Sequence, residues 1–205
     1  TEMQTKELFQ PSHLDFMCKP QEAYQNLSFQ SPTVIDNCIP LEHQDKIIHE
    51  LLTTKYFPWY YCDDITKRNE KNSQARPGLS HHFVDYKKSN SSYTSLAQSI
   101  IDKYSSSPII QAKAFLQFPL NLRNTLYDTP HIDFTFPHMV YLYYVVDADG
   151  DTLLFEGSKI IKRIIPKKGR LLIFNGQIQH TAEQPCNDIR CIINFDVEPN
   201  GKNSG

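Results

Sequence analysis

From Ile109 onward the sequence is a succession of short apolar runs broken by turn residues, and no other feature constrains the fold as much. The runs are Ile109 to Phe118, Met139 to Val146, Thr152 to Phe155, Ile160 to Ile165, Leu171 to Phe174, Gln177 to Glu183 and Arg190 to Val197. Between them lie Asp147-Ala148-Asp149-Gly150, Glu156-Gly157, Pro166-Lys167-Lys168-Gly169, Asn175-Gly176 and Pro185-Cys186-Asn187-Asp188. Gly, Pro, Asn and Asp favour chain reversal, so these segments read as turns. Many short strands at such spacing indicate a β-sandwich or a double-sheet jelly roll.

The chain before Ile109 has a different rhythm. Val34-Ile35-Asp36 reads as a short strand. Pro40 is expected at the first helical position, where a missing N–H costs nothing. Leu41, Ile47, Ile48, Leu51 and Leu52 then form the apolar face of a helix. Tyr56-Phe57-Pro58-Trp59-Tyr60-Tyr61 reads as core or strand, since aromatic clusters usually bury area. Asp63 to Gly78 is polar and basic and reads as a mobile loop. His81 to Tyr86 is a strand whose adjacent histidines point to opposite faces, so neither is assigned as a ligand. Tyr93 to Tyr104 is a second helix, capped by Ser91 or Ser92.

At 205 residues the chain suits one domain with an extended arm. The expected division is an arm over 1–33, a domain over 34–198 with its β core at about 109–197, and a tail over 199–205. A formal charge of -2 gives no global argument for nucleic acid or an anionic membrane as partner. No apolar run approaches the roughly 20 residues that span a bilayer. The five cysteines are odd in number and show no C-x-x-C spacing. They read as reduced thiols, and the expected location is cytoplasmic.

Chemistry concentrates on four residues. His131 and Asp133 are two apart, which on a strand directs both to the same face. His180 comes much later, and Arg190 follows ten residues beyond it, inside an apolar strand. Two imidazoles and one carboxylate leave about three octahedral positions open, as in non-haem Fe(II) oxygenases. A buried guanidinium demands an anionic partner, and its planar fork suits a carboxylate.

These residues resemble the Fe(II)/2-oxoglutarate-dependent dioxygenases, in particular the prolyl-hydroxylase-like branch. His131-Ile132-Asp133, His180 and Arg190 match the family's H-x-D, distal His and following Arg. Tyr143-Tyr144-Val145-Val146-Asp147 is similar to its Tyr-Tyr-Leu-Asn strand, and Gly150-Asp151-Thr152 to its Gly-Gly-x-Thr segment. Pro166 to Phe174 is similar to Pro-x-x-Gly-Arg-Leu-x-x-Phe. The resemblance covers roughly residues 109 to 197. It implies an α+β, mainly β fold: a double-stranded β-helix (jelly roll) with supporting helices packed on the major sheet.

The resemblance also implies roles. His131, Asp133 and His180 would bind iron, and Arg190 the far carboxylate of 2-oxoglutarate. Tyr144 would donate a second hydrogen bond to that carboxylate, with Tyr143 as the structural alternative on the opposite face. The implied cofactors are Fe(II), 2-oxoglutarate and O2, with ascorbate as an optional addition. The implied reaction hydroxylates a C–H bond and releases succinate and CO2. Asp133 stands where related halogenating enzymes carry a small residue, which argues for hydroxylation. The favoured substrate is a peptidyl proline or another protein residue, with a small molecule as alternative. Nucleic-acid demethylases of the superfamily carry a second Arg six residues after the first; here that position is Asp196. The competing readings are a non-catalytic, cupin-like metal-binding or interaction module and a zinc hydrolase with the same ligands.

Three further expectations bear on the site. The basic run Lys159, Lys162, Arg163, Lys167, Lys168 and Arg170 reads as a solvated strand face with its turn. His138 reads as a surface histidine at a strand start. Lys113 lies between Ala112 and Ala114, and the pattern leaves its direction open.

Overall fold

Alternation along the strands decides the architecture. In a computed structural model, which describes residues 31–66, 75–120 and 127–199, Tyr141, Tyr143, Cys191, Ile193 and Phe195 share one apolar cluster, while Val140, Leu142, Tyr144 and Ile192 share another. Successive strand residues point to opposite faces. The sheet carrying them is therefore covered on both sides.

The elements are, in chain order, β1 (Thr33–Ile35), α1 (Leu41–Ile48) continued by a π-helical turn (His49–Thr53), β2 (Tyr60–Cys62), β3 (Gly78–Asp85), β4 (Lys88–Ser89) and α2 (Thr94–Ile101). Then follow β5 (Ile109–Gln117), β6 (Met139–Tyr144), β7 (Thr152–Glu156), β8 (Lys159–Ile164), β9 (Leu171–Asn175), β10 (Gln179–Ala182) and β11 (Arg190–Val197). An eight-stranded antiparallel sheet runs β1-β9-β6-β11-β5-β3-β2, with β4 on β3. The smaller sheet runs β10-β7-β8, and His131 extends it through a two-bond bridge to His180. From β6 onward the chain passes between the sheets, with β6, β9 and β11 in the large one and β7, β8 and β10 in the small one, as in a double-stranded β-helix.

The helices cover the outer face of the large sheet. Ile47 and Leu51 from the first helical segment and Ala97, Ile100 and Ile101 from α2 join Ala112, Ala114, Tyr143 and Phe195. Each fully buried aliphatic side chain contributes about 1.5–3 kcal/mol, so this layer anchors the sheet. The inner face packs Val140, Leu142, Leu172, Phe174 and Ile192 against Leu154 and Ile164 of the small sheet. The cavity described below opens beside this inner layer.

Details differ from the sequence reading for local reasons. Pro40 is the N-cap (φ -55, ψ 149), not the first helical residue. The buried stripe is Gln44, Ile47 and Leu51, and Leu41 is 62% exposed. Gln44 is buried because its amide donates to the Ile39 carbonyl at 2.9 Å. The second helix stops at Ile101, earlier than its pattern predicts, and Ser91 accepts the Tyr93 N–H without being the N-cap. In the aromatic cluster Phe57 is buried, whereas Tyr56, Tyr60 and Tyr61 are exposed.

The basic run is a solvated face, but it is paired. Arg170 and Lys167 meet Asp36, Lys168 meets Asp45, and Arg163 meets Glu183 and Asp151. Cys38, Cys62, Cys186 and Cys191 are free thiols. Among the described residues no helix is long and apolar enough to cross a membrane. Residues 1–30 of the expected arm, 67–74 of the expected loop, 121–126 of the long connection before His131 and 200–205 of the tail lie outside the described residues.

Candidate active site

His131, Asp133 and His180 come together at one end of the small sheet. Paired backbone hydrogen bonds of 3.0 and 2.9 Å set His131 opposite His180, with ring centroids 4.8 Å apart. Asp133 Oδ2 lies 3.4 Å from His180 Nε2, and Asp133 Oδ1 lies 3.7 Å from His131 Nε2. One ligand atom from each residue falls within 4.8 Å of the others.

The rings are oriented for ligation. His131 Nδ1 is 3.0 Å from the Thr129 carbonyl and His180 Nδ1 is 3.3 Å from the Ile178 carbonyl. A carbonyl can only accept, so each Nδ1 carries the proton. In the neutral ring this leaves the lone pair on Nε2, and both Nε2 atoms lie on the side of Asp133. Backbone carbonyls commonly fix the tautomer of metal-bound histidine in this way. Two neutral imidazoles and a carboxylate are a donor set that suits a divalent first-row metal.

Arg190 opens the inner face of β11 and is 3% exposed. Its Nε donates to the Gly150 carbonyl at 3.0 Å, Nη1 to Gln117 Oε1 at 2.6 Å and Nη2 to Thr152 Oγ1 at 2.8 Å. All three acceptors are neutral, and among the described residues Arg190 forms no ion pair. Burial pulls its pKa below the ordinary guanidinium value, with nearby Asp128 opposing and Arg76 reinforcing that pull.

Arg76 falls in the basic segment Asp63 to Gly78, which the sequence pattern reads as a mobile loop. It is instead 1% exposed, and its Nε and Nη2 donate to Asp128 Oδ1 at 2.8 and 2.6 Å. Burial still holds the Asp128 pKa above the usual carboxylate value, against the lowering effect of Arg76. Asp128 lines the cavity together with Arg190, and Arg76 pairs with Asp128 from outside that lining.

A cavity of about 300 Å³ joins these groups, at the small end of the range for ligand pockets. Its walls include Asp128, His131, Asp133, Thr152, His180 and Arg190, and also Gln111, Lys113 and Asn194. Lys113 thus faces inward, opposite Asn194 in the β5–β11 register.

Tyr144 is fully buried, and its hydroxyl donates to Thr152 Oγ1 at 2.7 Å. Burial pushes its pKa up to about 12. Thr152 stands between it and the cavity. Tyr143 faces the helical layer, as its odd position in the strand requires. His138 is a correction: it is fully buried, not a surface residue. Its ring stands edge-on to Phe134 and packs on Gly176.

Gln117, Thr152 and Asn194 received no role from the sequence. One signal could have found two of them. Gln117 and Asn194 are amide residues within strands read as buried, where an amide needs a partner.

No known family profile and no curated protein matches this chain. Solved structures do match. A viral collagen prolyl hydroxylase from Paramecium bursaria Chlorella virus-1, in its 2OG complex, superposes with TM-score 0.56 at 12% identity, covering 83% of this chain and 97% of its own. A Trichoplax adhaerens prolyl hydroxylase, in complex with a hypoxia inducible factor oxygen degradation domain peptide, gives 0.56 at 14% identity, covering 85% and 86%. The non-heme α-ketoglutarate-dependent epimerase SnoN of nogalamycin biosynthesis gives 0.58 at 11% identity, covering 89% and 88%. At these identities the likeness fixes the fold: the chain has the jelly-roll architecture of the 2OG-Fe(II) oxygenases.

Proposed function

We propose that this protein is an Fe(II)- and 2-oxoglutarate-dependent dioxygenase that hydroxylates a C–H bond, with a peptide or protein side chain as substrate. The observation that carries the reading is the distance between two ends of one cavity. Arg190 donates to Thr152, and Thr152 lies two residues along β7 from Leu154, the register partner of His180. Two residues of strand span about 6.6–6.8 Å. A five-carbon diacid is long enough to reach from the histidines to the guanidinium.

His131, Asp133 and His180 are the proposed metal ligands. Bound Fe(II), with 2-oxoglutarate and O2, supplies the oxidising chemistry, and the cosubstrate leaves as succinate and CO2. The chain's own contribution is placement. The Nδ1 hydrogen bonds hold both rings before any ligand arrives, so little orientation is lost on binding. Arg190 supplies the fixed charge for the far carboxylate of 2-oxoglutarate. Thr152 accepts from both Arg190 and Tyr144, which leaves its own proton to donate into the cavity. Tyr144 acts through Thr152. Asp128 offsets the charge of Arg76, so Arg190 carries the net positive charge at this end.

The other end of the cavity faces the substrate in this reading. Gln111 and Lys113 supply hydrogen-bonding groups there, which suits the amides of a peptide. The peptide-bound Trichoplax hydroxylase has the same fold and supports that choice.

The test is to incubate purified protein with Fe(II), ascorbate, O2 and 2-oxoglutarate and to measure succinate. Turnover that is lost in His131→Ala and Asp133→Ala, and that rises with added peptide, supports the reading. Zinc retained on purification without any response to 2-oxoglutarate contradicts it.

A further inference from the structure

Behind Asp133 runs a buried chain of polar groups for which the proposed reaction has no direct use. Asn194 Nδ2 lies 3.3 Å from Asp133 Oδ2 and 3.4 Å from Asp196 Oδ2. Both partners are carboxylates, which only accept, so the amide must present its NH2 to them. On the far side of Asp196, His138 Nε2 lies 3.6 Å from Oδ1. Asp196 and His138 are each 0% exposed. Burial of a second carboxylate so close to Asp133 is costly unless its neighbours hold it firmly.

The histidine is fixed from three directions. Its Nδ1 donates to the Phe136 carbonyl at 2.9 Å. Phe134 meets its ring edge-on at 5.5 Å. Gly176 donates its N–H to the His138 carbonyl at 2.9 Å, and a Cβ on Gly176 would sit 2.1 Å from His138 Nε2. No other residue fits at 176 without moving the ring. The sequence therefore keeps a glycine in the Asn175-Gly176 turn that leaves room for an imidazole.

We propose that Asn194, with Asp196 and His138 behind it, is a positioning brace for Asp133. Gly176 leaves room for the His138 ring, that ring packs against Asp196, and Asp196 and Asp133 share the Asn194 amide. The brace restricts rotation of that carboxylate, so the three ligand atoms stay convergent before a metal binds. The proposal rests on the reading of Asp133 as a metal ligand. Asn194 and Asp196 lie on β11, the strand that begins with Arg190, so one strand places both the cosubstrate charge and the ligand brace.

The test is anaerobic Fe(II) binding against a competing chelator, with metal content per chain, on wild type and three variants. Asn194→Asp is nearly isosteric and replaces the donor by a third carboxylate. Asn194→Ser keeps a short donor, and His138→Phe keeps the buried ring volume. Circular dichroism and the melting temperature of the metal-free forms establish that each is folded. Loss of an outer-shell partner typically weakens metal binding about 10–100-fold. Asn194→Asp and His138→Phe are expected to fall in that range and to move the Fe(II)–2-oxoglutarate absorption band. Asn194→Ser is expected to recover part of the loss. A folded Asn194→Asp protein with wild-type Fe(II) affinity and an unmoved band overturns the brace alone. Two metal ions per wild-type chain also overturn it, because His138 and Asp196 would then be ligands. A wild-type protein that binds no Fe(II) overturns the metal-centre reading, and the brace with it.

Discussion

Arg190 and Tyr144 donate to the same atom. Thr152 Oγ1 is 2.8 Å from Arg190 Nη2 and 2.7 Å from the Tyr144 hydroxyl, and all three side chains are buried. The guanidinium is thereby held in one orientation before any anion reaches it. A buried donor that loses its acceptor costs about 1–3 kcal/mol, whereas a hydrogen bond removed with its donor costs about 0.5–1.5 kcal/mol. Thr152→Val is therefore expected to destabilise the fold more than Tyr144→Phe, since it orphans two donors. Urea denaturation of the two variants checks the order.

Arg190→Ala removes the charge proposed to hold the far carboxylate. Leaving one member of a buried charge pair unpaired costs about 3–5 kcal/mol, so 2-oxoglutarate binding should weaken by several kcal/mol. In wild type, ligand at 100 times its Kd stabilises the native state by about 2.7 kcal/mol. Thermal shift in the presence of a divalent metal should show that stabilisation, and it should vanish in Arg190→Ala. An unchanged shift in the variant would remove Arg190 from the site.

The thiols should separate by burial. Cys186 is exposed, while Cys38 and Cys191 are buried. Burial pushes the Cys38 pKa up to about 11 and raises that of Cys191 as well. Thiolate is the reactive form. A thiol reagent on native protein should modify Cys186 and spare Cys38 and Cys191, which should react only on unfolding. Peptide mapping of the labelled protein reads this directly.

Asp36 links β1 to the turn before β9 through Arg170. The Arg170 hydrogen bond lowers its pKa from 3.8 to about 2. The folded value lies below the unfolded one, so the stability it contributes is present above the ordinary carboxylate value and is lost as pH falls from 3.8 through about 2. The pair is solvent-exposed, so the contribution is below about 1 kcal/mol. Asp36→Asn should lower stability slightly at neutral pH and converge with wild type in acid. Denaturation midpoints at several pH values test the convergence.

The β core was legible because alternation and turn chemistry agree. Met139 to Val146 and Arg190 to Val197 carry apolar residues on both faces, as strands covered on both sides must. The helix over residues 41–53 was legible in kind, but its face was not. Gln44 displaces Leu41 from the buried stripe because a backbone carbonyl and the turn at Gly169 receive its amide. His131, Asp133, His180 and Arg190 were found through a family pattern, and all four side chains line one cavity. His138, Arg76 and Gln117 were misread or missed for a shared reason. Each is polar, and its burial depends on a partner far along the chain: Asp196, Asp128 and Arg190 respectively. Local pattern carries no record of such pairings.

Anaerobic titration with Fe(II) and 2-oxoglutarate, followed by visible absorption, tests the proposed metal centre most directly. Wild type should bind one Fe(II) and one 2-oxoglutarate per chain, and His131→Ala, Asp133→Ala and His180→Ala should each abolish the absorbing complex while remaining folded. A complex of unchanged stoichiometry and absorption in any of the three variants would contradict the assignment.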